Sequence, residues 1–235
     1  MRTYSKAAVW LFTAVVLLVS SPAAAQLRIA FTGKDANAPD EYAFVALNDI
    51  SSGTSFFVTN CDWDNSTGAF INPCNEGVMQ VTTTAVITRG TVTLVQETAP
   101  DVYTVTGDAT AVAVPGSLAW QSVSADPHYA FAASNPTSPL NTVTEIYAYA
   151  DTDPDTAVGG VKDPTINNNA SPNAVVLDFV GVQPVGMDFV GNRSTATLAD
   201  LTNTANYTVG GTITLDLTAF TGPGLPVELK SFSVE

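Results

Sequence analysis

Two stretches of this sequence carry oxygen-rich side chains at spacings that suit a hard cation. Asp151-Thr152-Asp153-Pro154-Asp155 places three carboxylates two residues apart. In an irregular loop Asp151, Asp153 and Asp155 could converge on Ca²⁺, which takes six to eight oxygen ligands. The EF-hand pattern is not met, because its sixth position would be Thr156 and its twelfth Lys162. An Asp/Pro turn on an acidic surface is the plainer account of the same residues. The second stretch holds Asn60, Asp62, Asp64, Asn65 and Glu76 around Cys61 and Cys74. A bond between the two cysteines would draw Asp62 and Asp64 towards Glu76, again an oxygen set suited to Ca²⁺. A structural loop with Trp63 packed inward is the alternative. Asp35, Asp40 and Glu41 form a third acidic group, which reads as a solvated turn.

Other chemistry has less to stand on. The chain has one His, so two-His zinc motifs are excluded and a triad has a single candidate base. His128 follows Pro127 at the start of a strand and reads as a structural or surface residue. No G-x-S-x-G stretch occurs. Paired carboxylates could serve a glycosidase, but 22 acidic residues make pairs easy to find. Trp63, Tyr147 and Tyr149 are candidate stacking groups for a sugar. Tyr147 and Tyr149 are two apart, which places them on one face of a strand. Asp155-Thr156-Ala157 fits a short acceptor tripeptide for O-glycosylation.

The elements that must position these residues are strands. Leu27–Thr32, Tyr42–Leu47, Ser55–Thr59, Val78–Thr83, Thr91–Val95, Val102–Thr106, Tyr129–Ala133, Glu145–Ala150, Ala174–Val180 and Thr212–Leu217 carry the Val, Thr, Tyr and Phe of strand sequence. Turn clusters such as Ser51-Ser52-Gly53, Arg89-Gly90, Gly107-Asp108 and Gly210-Gly211 separate many of them. One short helix is expected near residues 195–203, capped by Ser194, with Asp200 too far along to serve a capping box. Many short strands with almost no helix predict an all-β fold, an antiparallel β-sandwich, with a barrel as the alternative.

Charge and termini bound the compartment. The 235 residues hold 22 Asp+Glu against 8 Lys+Arg, a net charge of −14, which argues against a nucleic-acid partner. Arg2 and Lys6 precede an apolar run, Ala7–Val19, that ends in Ser20-Ser21-Pro22 and an Ala23-Ala24-Ala25 cleavage site. This is the pattern of a signal peptide over residues 1–25, too short to span a bilayer. Its loss removes 2 of the 8 basic residues, leaving 6 against 22 acids, a net −16. No later stretch is long enough for a membrane span. In an oxidising compartment Cys61 and Cys74 are expected to form a disulfide. Residues 26–220 are read as the sandwich domain. Residues 221–235 are read as a Gly/Pro linker, Thr221–Pro226, and the start of a following module.

Two stretches carry a resemblance. Asp40-Glu41-Tyr42-Ala43-Phe44-Val45-Ala46-Leu47-Asn48-Asp49-Ile50, then Ser52-Gly53-Thr54, Phe56-Phe57-Val58-Thr59-Asn60, Trp63 and Glu76-Gly77, resembles an uncharacterised family of bacterial exported β domains. Its pattern reads FAFVxLxDIxxGTxIxFTDNxW followed by an EG pair. The sequence departs from it at Asn60, where the family has Asp, and at Tyr207, where it has Trp. Leu225-Pro226-Val227-Glu228-Leu229-Lys230-Ser231-Phe232 resembles the LPVELxSF junction of type IX secretion substrates. The resemblance implies export and a β fold. The expected function is therefore an exported or cell-surface module of a Gram-negative bacterium with a structural or adhesive, non-enzymatic role. Its partner would be a glycan or another surface protein. A carbohydrate-binding module and a hydrolase using Asp/Glu are the alternatives, and Ca²⁺ is the one cofactor expected.

Overall fold

The period-two runs of Val, Thr, Phe and Tyr form the expected strands in the computed structural model. It describes residues 27–37, 39–64, 67, 69–71, 74, 77–114, 127–151, 174–179 and 185–225. The signal-peptide stretch, Asn65, Glu76, Asp153, Asp155, the Asp155–Ala157 tripeptide and residues 226–235 lie outside that set. The strands are β1 (Ile29–Asp35), β2 (Asp40–Ala46), β3 (Ser55–Thr59), β4 (Trp63–Asp64), β5 (Ala69–Phe70), β6 (Val78–Thr83), β7 (Val92–Ala99), β8 (Val102–Val105), β9 (Ala109–Ala113), β10 (His128–Ala133), β11 (Val143–Asp151), β12 (Val175–Asp178), β13 (Gly186–Phe189) and β14 (Tyr207–Gly210). The helix α1 (Leu198–Leu201) lies between β13 and β14.

Two six-stranded sheets build an all-β sandwich. The first runs β14-β13-β1-β2-β7-β8 and the second β12-β11-β10-β3-β6-β9. Pairing is antiparallel except between β11 and β12, which run parallel, so the second sheet is mixed where a wholly antiparallel one was expected. The core between the sheets gathers Ile29, Phe31, Phe44, Phe56 and Met79. Phe44 of the first sheet meets Phe56 of the second edge to face, ring centroids 5.3 Å apart.

The second sheet is buried on its other face too. Phe57, Tyr129, Phe131, Ile146 and Tyr149 form a second core under Trp63 and Phe70 of the small β4–β5 hairpin. That accounts for the unbroken apolar run Phe56-Phe57-Val58: a strand covered on both faces has no polar side to alternate with.

Two expectations are corrected. Thr212–Leu217 joins no ladder. Residues 213–218 instead cross the outer face of the first sheet as a strap, and Phe220 and Leu225 beyond it join the main core. The helix is shorter than 195–203 and is capped by Thr197, not Ser194. With Thr197 as cap, Asp200 does close a capping box: its Oδ2 accepts from Thr197 N at 2.8 Å while Thr197 Oγ1 accepts from Asp200 N at 3.3 Å. Thr221–Leu225, the described part of the stretch read as a linker, lies against the sandwich. Leu225 is buried, and a Cβ on Gly222 would sit 2.6 Å from the Ser194 carbonyl oxygen.

Candidate functional site

Register places several polar side chains at one end of the sandwich. Lys34 of β1 stands opposite Tyr42 of β2, and both lie on the inner face with Phe31 and Phe44. Across the gap, His128 opens β10. Tyr42 Oη and His128 Nε2 are 2.7 Å apart, within one hydrogen bond. Lys34 and His128 are both 0% exposed. Burial, helped by the charge of Lys34, holds the His128 pKa well below its ordinary value, so the ring is neutral. A neutral, enclosed imidazole with one nitrogen committed to a phenol ties the sheets together. It has no open side on which to act as a base towards solvent.

Acids rim the same end. Asp40 faces Glu97 across β2–β7, and Glu97 faces Tyr103 across β7–β8. Burial first, then the charges of Asp40 and Asp101, raise the Glu97 carboxyl, while the Asp101 N–H bonded to it at 2.9 Å pulls the other way. The loops after β3 and β11, where the two oxygen-rich stretches begin, leave the sheets at this end as well.

The stapled loop reads differently from its sequence. Cys61 and Cys74 form the expected disulfide. Trp63 is 1% exposed, and its ring meets Phe70 edge to face at 5.0 Å. Asn60 is buried. Asp62 and Asp64 flank Trp63 and are half-buried. Their backbone carbonyls accept from Ile71 N at 2.8 Å and Thr67 N at 3.2 Å, which folds the hairpin. Among the described residues no three His, Cys, Asp or Glu side chains stand close enough together to hold a metal.

The aromatic trio does not form one platform. The β10–β11 register slips between Ala130 and Phe131, which leaves Tyr147 as an extra residue. This bulge reverses the alternation. Tyr149 therefore stacks on Tyr129 in the second core, centroids 4.7 Å apart, while Tyr147 packs towards the core between the sheets. Trp63 and Tyr149 are thus core residues, and only Tyr147 keeps partial exposure. Burial, then the charge of Glu145, pushes the Tyr147 hydroxyl up to about 12.

A second polar node lies on the outer face of the first sheet, beneath the strap. Asp35 Oδ2 accepts from Ile213 N at 2.9 Å and Asp188 Oδ1 from Asp216 N at 3.3 Å. Arg193 donates from Nη1 to the Thr218 carbonyl at 3.1 Å, and its Nε lies 3.0 Å from Asp216 Oδ2. The guanidinium also sits 4.6 Å from the centre of the Phe220 ring. Sequence reading missed this node and Lys34. The sequence ends the first strand at Thr32 and reads Asp35, with Asp40 and Glu41, as a solvated turn, whereas Asp35 is buried at the end of β1; the other members are about 150 residues or more away in sequence, with no local pattern linking them.

The chain matches no protein-family model, no curated protein and no solved structure.

Proposed function

We propose that the chain is an exported or cell-surface β-sandwich module of a Gram-negative bacterium, with a structural or adhesive, non-enzymatic role. The observation that carries this reading is the Cys61–Cys74 disulfide, which staples a third layer over the second sheet. Such bonds persist in oxidising compartments. The signal-peptide pattern and the resemblance to exported β domains support the same compartment, and the Leu225–Phe232 junction supports a type IX route. The groups best suited to chemistry serve the fold instead: His128 bridges the sheets, and Trp63 and Tyr149 fill the second core.

The test is expression of the full gene with its signal in a Gram-negative host, followed by fractionation and a hydrolase screen of the purified chain. Cleaved, oxidised protein at the surface or outside, without hydrolase activity, is expected. Retention in the cytoplasm, or robust turnover of a glycoside or ester, overturns the reading.

Calcium is a separate proposal. Asp151 ends β11 beside Asp178 of β12 in the parallel register, where the acidic stretch leaves the sheet. Binding to the folded state would raise Tm with added Ca²⁺ and lower it with chelator. No shift at millimolar Ca²⁺ counts against both loops.

A further inference from the structure

The chain stays on the sandwich past the end of the strap. Phe220 N donates to Gly90 O at 2.8 Å and Thr221 N to Arg193 O at 3.2 Å. The Phe220 ring lies in the main core, 5.2 Å from the Phe189 ring and 4.6 Å from the Arg193 guanidinium. Arg193 donates from Nη1 to the Thr218 carbonyl at 3.1 Å and from Nη2 to the Phe189 carbonyl at 3.2 Å, so one side chain ties this stretch to the end of β13. Two glycines then lie close against the loop that leads into α1. A Cβ on Gly222 would sit 2.6 Å from the Ser194 carbonyl oxygen, and one on Gly224 2.8 Å from Thr197 Cγ2 and 3.0 Å from the Ala196 carbonyl oxygen. Neither glycine has a positive φ. What each position requires is the missing side chain, which lets two backbones approach. Leu225, 1% exposed, closes the stretch in the same core. Thr221-Gly222-Pro223-Gly224 has the composition of a tether, but a tether needs none of these contacts.

We propose that residues 220–225 are a docked exit, which makes Leu225 part of the sandwich and fixes the point from which the chain leaves it. The residues that follow Leu225 are then carried from a set position beside α1 instead of swinging from a Gly/Pro tether. The exit shares one end of the sandwich with the chain's entry. Gly90, which receives Phe220, donates its own N–H to the Ala46 carbonyl, and Ala46 pairs with Ile29 at the start of β1. The β1–β2 and β7–β8 turns lie at the other end. A module held in this way presents that far end in one orientation. Arg193 is the centre of the dock, and its charged neighbours set the conditions of the test. Its Nη2 is 3.7 Å from Asp188 Oδ1 and its Nε 3.0 Å from Asp216 Oδ2. Burial, the largest influence, pushes the Asp188 carboxyl up to about 6, against the Asp216 N–H and the Arg193 charge, which lower it. Hydrogen bonds from Thr218 hold the Asp216 carboxyl below its ordinary value. At pH 7.5 both acids are charged, and Arg193 has both partners.

The test uses the full chain at pH 7.5 and three single variants, Gly222→Ala, Gly224→Ala and Gly211→Ala. Gly211 is the control, because an added Cβ there would meet nothing within 4 Å. In a tether Gly→Ala is neutral or slightly stabilising, since it restricts only the unfolded chain. In a docked exit the new methyl groups overpack a filled contact. Gly222→Ala and Gly224→Ala should each lower Tm by about 3–10 °C, while Gly211→Ala leaves it within about 2 °C of the wild type. Relaxation of ¹⁵N on the wild-type chain gives a second reading. Order parameters at Thr221, Gly222 and Leu225 should equal those of β2, about 0.85. Values below about 0.6 at these three residues, or Gly222→Ala and Gly224→Ala melting together with Gly211→Ala, overturn the proposal. The relaxation measurement decides the matter if a variant does not fold.

Discussion

Tyr42 and His128 join the two sheets through a single hydrogen bond, phenol oxygen to Nε2, 2.7 Å long and closed off from water. The unfolded chain protonates His128 near its ordinary pKa of 6.5, but the folded chain resists, because burial and Lys34 disfavour the cation. Stability linked to this ring is therefore present above pH 6.5 and is lost as pH falls below it. Urea midpoints from pH 7.5 to 4.5 should show the loss. Asp188 acts with the opposite sign below pH 6, so the measurement belongs on an Asp188→Asn background. A flat profile there would contradict the enclosed, neutral His128.

Removing the phenol oxygen tests the same bond directly. Tyr42→Phe keeps the ring and leaves a buried imidazole nitrogen without its partner, which costs about 1–3 kcal/mol. Denaturant unfolding at pH 7.5 measures it. No change would mean that the bond contributes nothing net.

Loss of the staple should loosen the third layer before the sandwich. Cys61 and Cys74 close a loop across a separation of 13 residues, and such a loop contributes about 3 kcal/mol in the chain-entropy model. A Cys61→Ala, Cys74→Ala variant should lower Tm and shift Trp63 emission to the red. Unchanged emission would show that the β4–β5 hairpin holds its place through packing alone.

Arg193→Met should be costly near neutral pH. It removes the neighbour of a buried carboxylate and the cation over Phe220. Breaking such a pair costs about 3 kcal/mol. The cost should shrink at pH 5, where Asp188 is protonated, and Arg193→Met with Asp188→Asn should recover part of it. Unfolding curves for the three variants at pH 7.5 and 5 decide this. Equal losses at both pH values would show that packing, rather than charge, is what Arg193 supplies.

Gly90 is the position least able to change. Its φ is +85°, and an added Cβ would lie 2.0 Å from the Phe220 carbonyl oxygen. Gly90→Ala must strain the turn by about 1–2 kcal/mol and also displace the strap backbone. A Tm drop larger than that of Gly107→Ala is expected. Gly107 shares the positive φ but has open space around it.

Much of the fold was legible because propensity and burial agreed. Val78–Thr83 and Ser55–Thr59 form with the bounds their sequences indicate. Ala109–Ala113 and Gly186–Phe189 were missed, since Ala-rich and Gly-Met-Asp-Phe stretches carry little strand character until a neighbouring strand supplies the ladder. Thr212–Leu217 failed the other way: it has strand sequence, but side chains of Asp35, Asp188 and Arg193 hold backbone groups of this stretch and its exit in place of a ladder. Of the candidate sites, the disulfide was readable from two cysteines. The Tyr147 bulge was not, because one unpaired residue in β11 leaves no mark in composition. Lys34 and Asp188 became visible only once distant strands met around them.

The place of β1 in the first sheet also sets an order of events in time. One edge pairs with β2 immediately downstream, but the other must wait for Gly186–Phe189, and Asp35 then waits for Ile213, 178 residues along the chain. A nascent chain therefore carries an open strand edge through most of its emergence, and closes it only when its last fifth arrives. Such late, long-range closure slows folding and invites association meanwhile. A chain halted before residue 186 should be held by chaperones or aggregate, even though most of its strands have already been made.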